Sequence, residues 1–285
     1  MSSKKINLMT LEIFTFLLLV LFFLPFVILL INAGKTSQEI INTPIALPSN
    51  IVQYYTNIKT VFTNQNVKYF SGFLNSLIIT SVSLVAIGVF SGMAAWVLVR
   101  TKTKYSYLIF LFFLSGMVIP FQVVMLPLVR LLQIITDTTG IPMKDSYQGV
   151  ILAYIGFGAP LSIFLFHGFI KSIPMDIEEA ATIDGCSKPQ LFFRIILPIL
   201  KPIFVTLLVL NGMWIWNDYL LPVLIIGVNG KVRTLPLSVA NLAGSYVREW
   251  DQIITSVVLA ALPVIILFLF AQKHIIKGMT SGAIK

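Results

Sequence analysis

The chain has 285 residues, of which 57% are hydrophobic and only 11% charged, with a mean hydropathy of +0.93. An ordinary soluble domain carries roughly 25% charged residues, so this composition cannot cover a water-facing surface and most of the exterior must meet lipid. It also excludes disorder, a disulfide scaffold and a cysteine-built metal site, and the net charge of +9 reads as cytoplasmic Lys and Arg rather than as a nucleic-acid footprint.

Six apolar runs are long enough to cross a hydrocarbon core, which takes about 20 residues each. They cover 13–31, 73–99, 105–126, 149–169, 203–226 and 253–270. None alternates polar and apolar residues, so a lipid-facing β-barrel does not fit. The fold class is therefore an all-α integral membrane protein with six transmembrane helices. Lys4 and Lys5 precede the first run, as in a signal peptide, and Ala33-Gly34 is a weak cleavage site. The run is longer than a signal core, which supports an uncleaved span.

Lys and Arg set the orientation. Arg100, Lys102 and Lys104 crowd the tiny loop after the second run, and Lys171, Lys188, Arg194 and Lys201 fall in the loop after the fourth. Both loops are placed inside, and an even number of spans puts both termini in the cytoplasm. Three regions follow: a cytoplasmic N-terminus (1–12), a six-span domain (13–270) with its large inner loop at 172–202, and a cytoplasmic tail (271–285). Outside lie a long segment near 32–72 and shorter ones near 137–147 and 227–251.

The inner loop reads as two helices with a break. Ser172 can cap the first, and Pro174 is tolerated in a first turn. Asp176, Glu178 and Glu179 complement the positive end of that helix, and Ile177, Ala180 and Ala181 give it a small apolar stripe. Gly185 stands where a C-terminal glycine belongs, and Ser187-x-x-Gln190 is a capping box for the second helix. The first helix carries acids and no basic face for anionic lipid, so its surface suits a protein partner better than a membrane surface.

Within that loop, Glu179-Ala180-Ala181, three residues, Gly185, nine residues, Ile195, one residue and Leu197-Pro198 resemble the EAA motif at every fixed position. That motif marks membrane subunits of ATP-binding-cassette importers served by a substrate-binding protein. The likeness covers nearly the whole chain and points to the carbohydrate group, of maltose and multiple-sugar type. The 35–48 segment, Phe73 to Leu77, Trp216-Asn217-Asp218-Tyr219, Thr234 to Leu237 and the tail all resemble the second membrane subunit of such importers. The resemblance implies that Glu179, Ala180, Ala181, Gly185, Ile195, Leu197 and Pro198 couple to a separate ATPase, and that the 278–285 tail touches the ATPase pair. It implies a homologous second membrane subunit, two ATPases and an extracytoplasmic sugar-binding protein as partners, in a bacterial plasma membrane. The resemblance makes Asn229, Gly230 and Asn241, in the last outer loop with Lys231, Arg233, Tyr246 and Trp250, candidates for contact with that binding protein. The chain has no G-x-x-x-x-G-K-[ST] loop, so ATP and Mg²⁺ belong to partner subunits and no cofactor is expected on this chain.

Candidate substrate-path residues are Asn75, Gln122, Trp216, Asn217 and Asp218. Sugars are recognised by hydroxyl-pairing groups beside aromatic faces, which the 216–218 cluster supplies. Asp218 admits two readings, a path-lining acid or an acid hydrated near the outer interface. Asn75, Gln122 and Asn211 suit interhelical hydrogen bonds better than ligand contacts, Gly88-x-x-x-Gly92 suits close helix packing, and Pro120, Pro160 and Pro263 suit bends in their spans. A same-superfamily permease for a polyol or glycerol phosphodiester keeps the loop but changes the cavity. A phosphate would favour Arg or Lys within the spans, where none lies well inside. An integral-membrane enzyme would need a catalytic constellation, and none is visible. A cysteine placed at Lys102 is expected to react with an impermeant reagent only from the cytoplasmic side; labelling from outside in intact cells would overturn the topology.

Overall fold

The computed structural model describes residues 3–65, 68–243 and 249–283. The described residues are all helix and connection, in the order α1 (Ser3–Ala33), α2 (Ser37–Asn42), α3 (Val52–Thr63), α4 (Tyr69–Arg100), α5 (Lys104–Ser115), α6 (Phe121–Thr139), α7 (Tyr147–Ile170) and α8 (Asp176–Ile183). There follow α9 (Lys188–Leu191), a π-helical turn (Phe192–Ile196), α10 (Leu197–Ile199), α11 (Lys201–Asn217), α12 (Leu220–Ile226), α13 (Leu235–Ala243) and α14 (Trp250–Ala283). Among the described residues five helices are long and apolar enough to cross a membrane, or six if Lys188–Ile199 and Lys201–Asn217, bent by 75° at their junction, count as one span. The chain forms two compact units, Met1–Phe70 with Ser238–Leu262 and Ser71–Leu237 with Pro263–Lys285.

In the first unit, the long outer segment is not bare loop. Thr36-x-x-Glu39 forms a capping box that starts α2. Ser49 and then the Thr36 backbone N–H donate to Glu39, which holds its carboxyl below the usual carboxylate range. Asn57 donates to the Ala33 and Lys35 carbonyls, and Ser37 donates to Asp251 at 2.7 Å. These bonds fasten the segment to the C-terminal end of α1 and the N-terminal end of α14. Lys35 is fully buried, with its ammonium on Asn32 and the Thr43 carbonyl.

In the second unit, α7 is the most buried of the spans. Beside it, the single third span expected over 105–126 is two helices. α5 is only 12 residues long, about 18 Å and too short for a hydrocarbon core of about 30 Å. Phe110 stacks on His167, Gly116 abuts Pro160, and Phe121 meets Phe157 edge-on. The contacts climb α7 from its C-terminal end, so α5 and α6 together line one path beside it. The break has a local cause: Pro120 lacks an N–H and disfavours helix at the residue before it. Pro160 and Pro263, by contrast, sit within helices that run on through them.

The inner half of this unit packs Ala95, Ile163, Phe166, Ile170, Phe192, Ile196 and Leu200 into one buried cluster. Gly88-x-x-x-Gly92 serves this packing by admitting rings rather than a neighbouring backbone: a Cβ at Gly88 would lie 2.4 Å from Phe204, and one at Gly92 lies nearest Phe192. Asn211 is buried and donates to Ser162, an interhelical bond between α11 and α7. At the outer end, a Cβ on Gly149 would lie 1.8 Å from the Met143 carbonyl oxygen, which is backbone and cannot step aside. Gly149→Ala is expected to destabilise the unit by about 1–3 kcal/mol, as overpacking does, and to lower the melting temperature of the purified membrane protein. An unchanged melting temperature would show that the 140–147 turn yields freely.

Candidate functional site: the coupling loop and the broken fifth span

The inner loop follows α7 directly. Ser172 does not cap the next helix, because its hydroxyl turns back to the Phe169 carbonyl. Helix α8 begins instead at Asp176, after a turn through Ile173 and Pro174, with Asp176, Glu178 and Glu179 in its first turn. It ends at Asp184, and Gly185 follows with φ +84°, the left-handed region in which a Cβ is strained. Nothing lies within 4 Å of a Cβ built there, so conformation rather than space selects glycine. The capping box forms as its spacing predicts, with the Ser187 N–H and hydroxyl both donating to the Gln190 side chain.

The EAA segment divides by exposure. Glu179, Ala180, Thr182 and Ile183 face outward, whereas Ala181 and the neighbouring Glu178 are buried. Glu178 receives the Arg100 guanidinium at 2.7 Å and the Trp96 indole N–H at 2.9 Å. Arg100 also donates to the Ile173 carbonyl at 3.1 Å. Removing one partner of such a buried pair typically costs about 3–5 kcal/mol, because the other charge is left uncompensated. Sequence reading singled out Glu179 and missed this anchor. The available signal was a second acid at 178, but its partners lie 78 and 82 residues away along the chain. In the second half of the motif, Ile195 is half-buried, Leu197 is half-buried against the buried cluster and Pro198 is exposed. Cys186, Met175 and Leu191 line a groove of about 450 Å³ beside α8, together with Trp96, Glu179 and Ile183.

The fifth span breaks where its acid stands. α11 ends at Asn217 and α12 starts at Leu220. The Asp218 carboxylate accepts from the Leu220 N–H at 2.9 Å and the Leu221 N–H at 3.4 Å, and the Tyr154 hydroxyl donates to its other oxygen at 3.1 Å. The acid thus supplies the acceptors that a helix start lacks in hydrocarbon. Trp214 meets Tyr154 edge-on, and Trp216 is buried edge-on against Phe73. Asn217 is exposed and donates to the Met213 carbonyl. Asn75 is buried, accepts from the Tyr147 hydroxyl at 2.6 Å and donates to the Arg233 carbonyl at 2.8 Å. Gln122 stands exposed in the first turn of α6, near the break. Of the five candidates, Asn75, Trp216 and Asp218 are thus joined to partners on α4 and α7, and Tyr154 and Trp214 are additions that the sequence did not single out.

The outer loop after α12 is latched by Asp145. Its carboxylate accepts from the Lys231 N–H at 2.7 Å and the Val232 N–H at 3.3 Å, while its own N–H donates to the Ile225 carbonyl. Gly230 is held at this latch and Asn229 is exposed at the tip. Asn241 lies on α13, a helix within the 227–251 segment read from sequence as an outer loop. Tyr246 and Arg248 lie outside the described residues, as do Ile284 and Lys285 of the tail.

Residues 84–281 match the family of binding-protein-dependent transport system inner membrane components. The chain is 40% identical to the probable starch degradation products transport system permease protein AmyC of Thermoanaerobacterium thermosulfurigenes, over 92% of this chain and 91% of that one. It is 34% identical to the arabinooligosaccharides transport system permease protein AraQ of Bacillus subtilis, over 96% and 95% of the two chains. In fold it matches a chain of a bacterial ABC transporter that imports the acidic polysaccharide alginate, with a TM-score of 0.75 at 16% identity, over 96% of this chain and 98% of that one. The chain belongs to the family of inner membrane components of binding-protein-dependent transport systems. It is a membrane-embedded transport subunit rather than an enzyme.

Asp218→Ala would leave two N–H groups in the break and the Tyr154 hydroxyl without their acceptor, at about 1–3 kcal/mol for each group left unpaired. The expected result is a lower melting temperature for Asp218→Ala than for Asp218→Asn, which keeps one acceptor oxygen. Equal melting temperatures would remove the capping role.

Proposed function

We propose that the chain conducts a carbohydrate, a mono- or oligosaccharide, across the plasma membrane by alternating access. It works with a homologous second membrane subunit, two ATPases on the cytoplasmic side and an extracytoplasmic sugar-binding protein. Both termini are cytoplasmic. ATP closes the ATPase pair, α8 moves with it, and the spans open the path outward to receive the sugar. The names of AmyC and AraQ, concerned with starch degradation products and arabino-oligosaccharides, support the sugar class. A second solved structure similar in fold, with a TM-score of 0.69 at 17% identity over 94% of each chain, is an alginate transporter in complex with an alginate pentasaccharide-bound periplasmic protein. A binding-protein partner fits the exposed outer tip at Asn229. Asn217, exposed beside Asp218 and Trp216, is the path residue best placed to meet sugar hydroxyls.

The observation that carries the coupling role is the division of α8. One face is fixed to the body through Glu178 and Ala181, and the other offers Glu179 and Ala180 outward with small side chains behind them. The short side chain of the outward Ala180 lets that face approach a cleft closely, and Glu179 gives it a charge for a basic partner. Reversal of that charge at an interface typically costs about 2–5 kcal/mol, roughly a 30- to several-thousand-fold loss of affinity. Glu179→Lys is therefore expected to abolish co-purification of the ATPase and sugar uptake while leaving membrane insertion intact. Lys188→Glu, beyond the glycine bend, serves as the control. If Glu179→Lys retains both properties at the unmodified level, α8 is not the docking element.

A further inference from the structure

We propose that Glu178, Arg100 and Trp96 join α8 to α4 as one moving body, and that α4 carries the motion of the ATPase side to the outer loop. The proposal rests on the docking role of α8 given above.

Helix α8 has little else to hold it. Asp176, Ile177, Glu179, Ala180, Thr182 and Ile183 are exposed, which leaves Ala181 as its one buried apolar side chain. A methyl group offers too little area to fix a helix against a load. The two ends of α8 are a short turn, anchored by the buried Ile173, and the bend at Gly185. The bonds to Glu178 are different in kind. They are charge-assisted, short and shielded from water, conditions in which such bonds are strongest. Arg100 holds the assembly at two points, since its fork reaches both Glu178 on α8 and the Ile173 carbonyl just before it. A lysine is a point charge on a flexible stem and cannot reproduce that fork.

Arg100 is the last residue of α4, and α4 is a single helix of 32 residues, about 48 Å long. Near its other end, Asn75 donates to the Arg233 carbonyl and Ser76 accepts from the Leu235 N–H at 2.8 Å. Both bonds hold the chain that leaves the 227–233 outer loop. One unbroken helix is therefore hydrogen-bonded to α8 at its cytoplasmic end and to the outer loop at its opposite end. Two neighbouring paths are interrupted, at 116–120 between α5 and α6 and at Asp218 in the fifth span, whereas α7 also runs unbroken, from the loop before α8 to the Asp145 latch.

The test uses the complete importer in proteoliposomes with its sugar-loaded binding protein. For Glu178→Gln and Arg100→Lys, the ATPase is expected to co-purify as in the unmodified complex. The ratio of binding-protein-stimulated to unstimulated ATP hydrolysis should fall by roughly 2- to 30-fold, the range for coupling energies carried by such networks. The exchanged pair Glu178→Arg with Arg100→Glu should recover part of that ratio. An unchanged ratio overturns the proposal. Loss of the ATPase from Glu178→Gln also overturns it, because the residue would then shape docking rather than transmit motion. A second measurement needs no variant of the cluster: spin labels at Lys102 and Ile183 should keep their separation between nucleotide-free and ATP-trapped states. A change of about one helical turn, ~5 Å, means that α8 and α4 move separately, and the proposal fails. Failure of the docking reading is seen independently, as retention of the ATPase by Glu179→Lys.

Discussion

Hydrocarbon offers no hydrogen bonds, and every interruption of a helix within it must be answered by groups of the protein itself. This constraint shapes the second unit more than any single packing contact. The fifth span is interrupted at Asp218, and the carboxylate takes up the freed N–H groups of Leu220 and Leu221. The third span is interrupted at 116–120, and there the backbone answers with tight turns: the Gly116, Met117 and Val118 N–H groups each bond three residues back. The breaks matter because an unbroken helix is a stiff rod, whereas a broken one lets its halves reorient. A transport path needs both kinds of element.

The same demand governs the polar side chains. Asn75, Asn211 and Asp145 each satisfy backbone or side-chain groups on another element, and each joins segments far apart in sequence. Such bonds fix register between helices that apolar packing alone leaves free to slide, because apolar contact is non-directional. They also limit what these residues have left for a solute. Asn75 already uses both ends of its amide, while Asn217 keeps its side chain at an exposed position.

The loop after α7 carries two adjacent acids with different surroundings. Successive residues of a helix point about 100° apart, so Glu178 and Glu179 cannot serve the same face. Glu178 turns inward to Arg100 and Trp96, and Glu179 turns outward. One acid holds the helix to α4, and the other is exposed. Gly185 then turns the chain with a positive φ, so the following helix heads back into the inner cluster through Phe192 and Ile196.

Much of this was determined by the sequence alone. Apolar runs of spanning length, the glycine with a positive φ and the Ser187–Gln190 box depend on neighbours a few residues away, so local reading reaches them. The six-span count and the membrane-subunit family were legible for the same reason, since composition and a closely spaced motif carry them. The break after Gly116 was less legible, because Pro120 interrupts an apolar run without lowering its hydropathy. The Thr36–Glu39 box was present as a pattern but lay in a segment read only as a loop. What stands opposite a side chain was decided only by the tertiary structure. Helical periodicity says which residues share a face, but it does not say which distant residue meets that face. Hence Arg100 and Trp96 at Glu178, Tyr154 at Asp218, and Tyr147 at Asn75 emerged only when the helices were packed together.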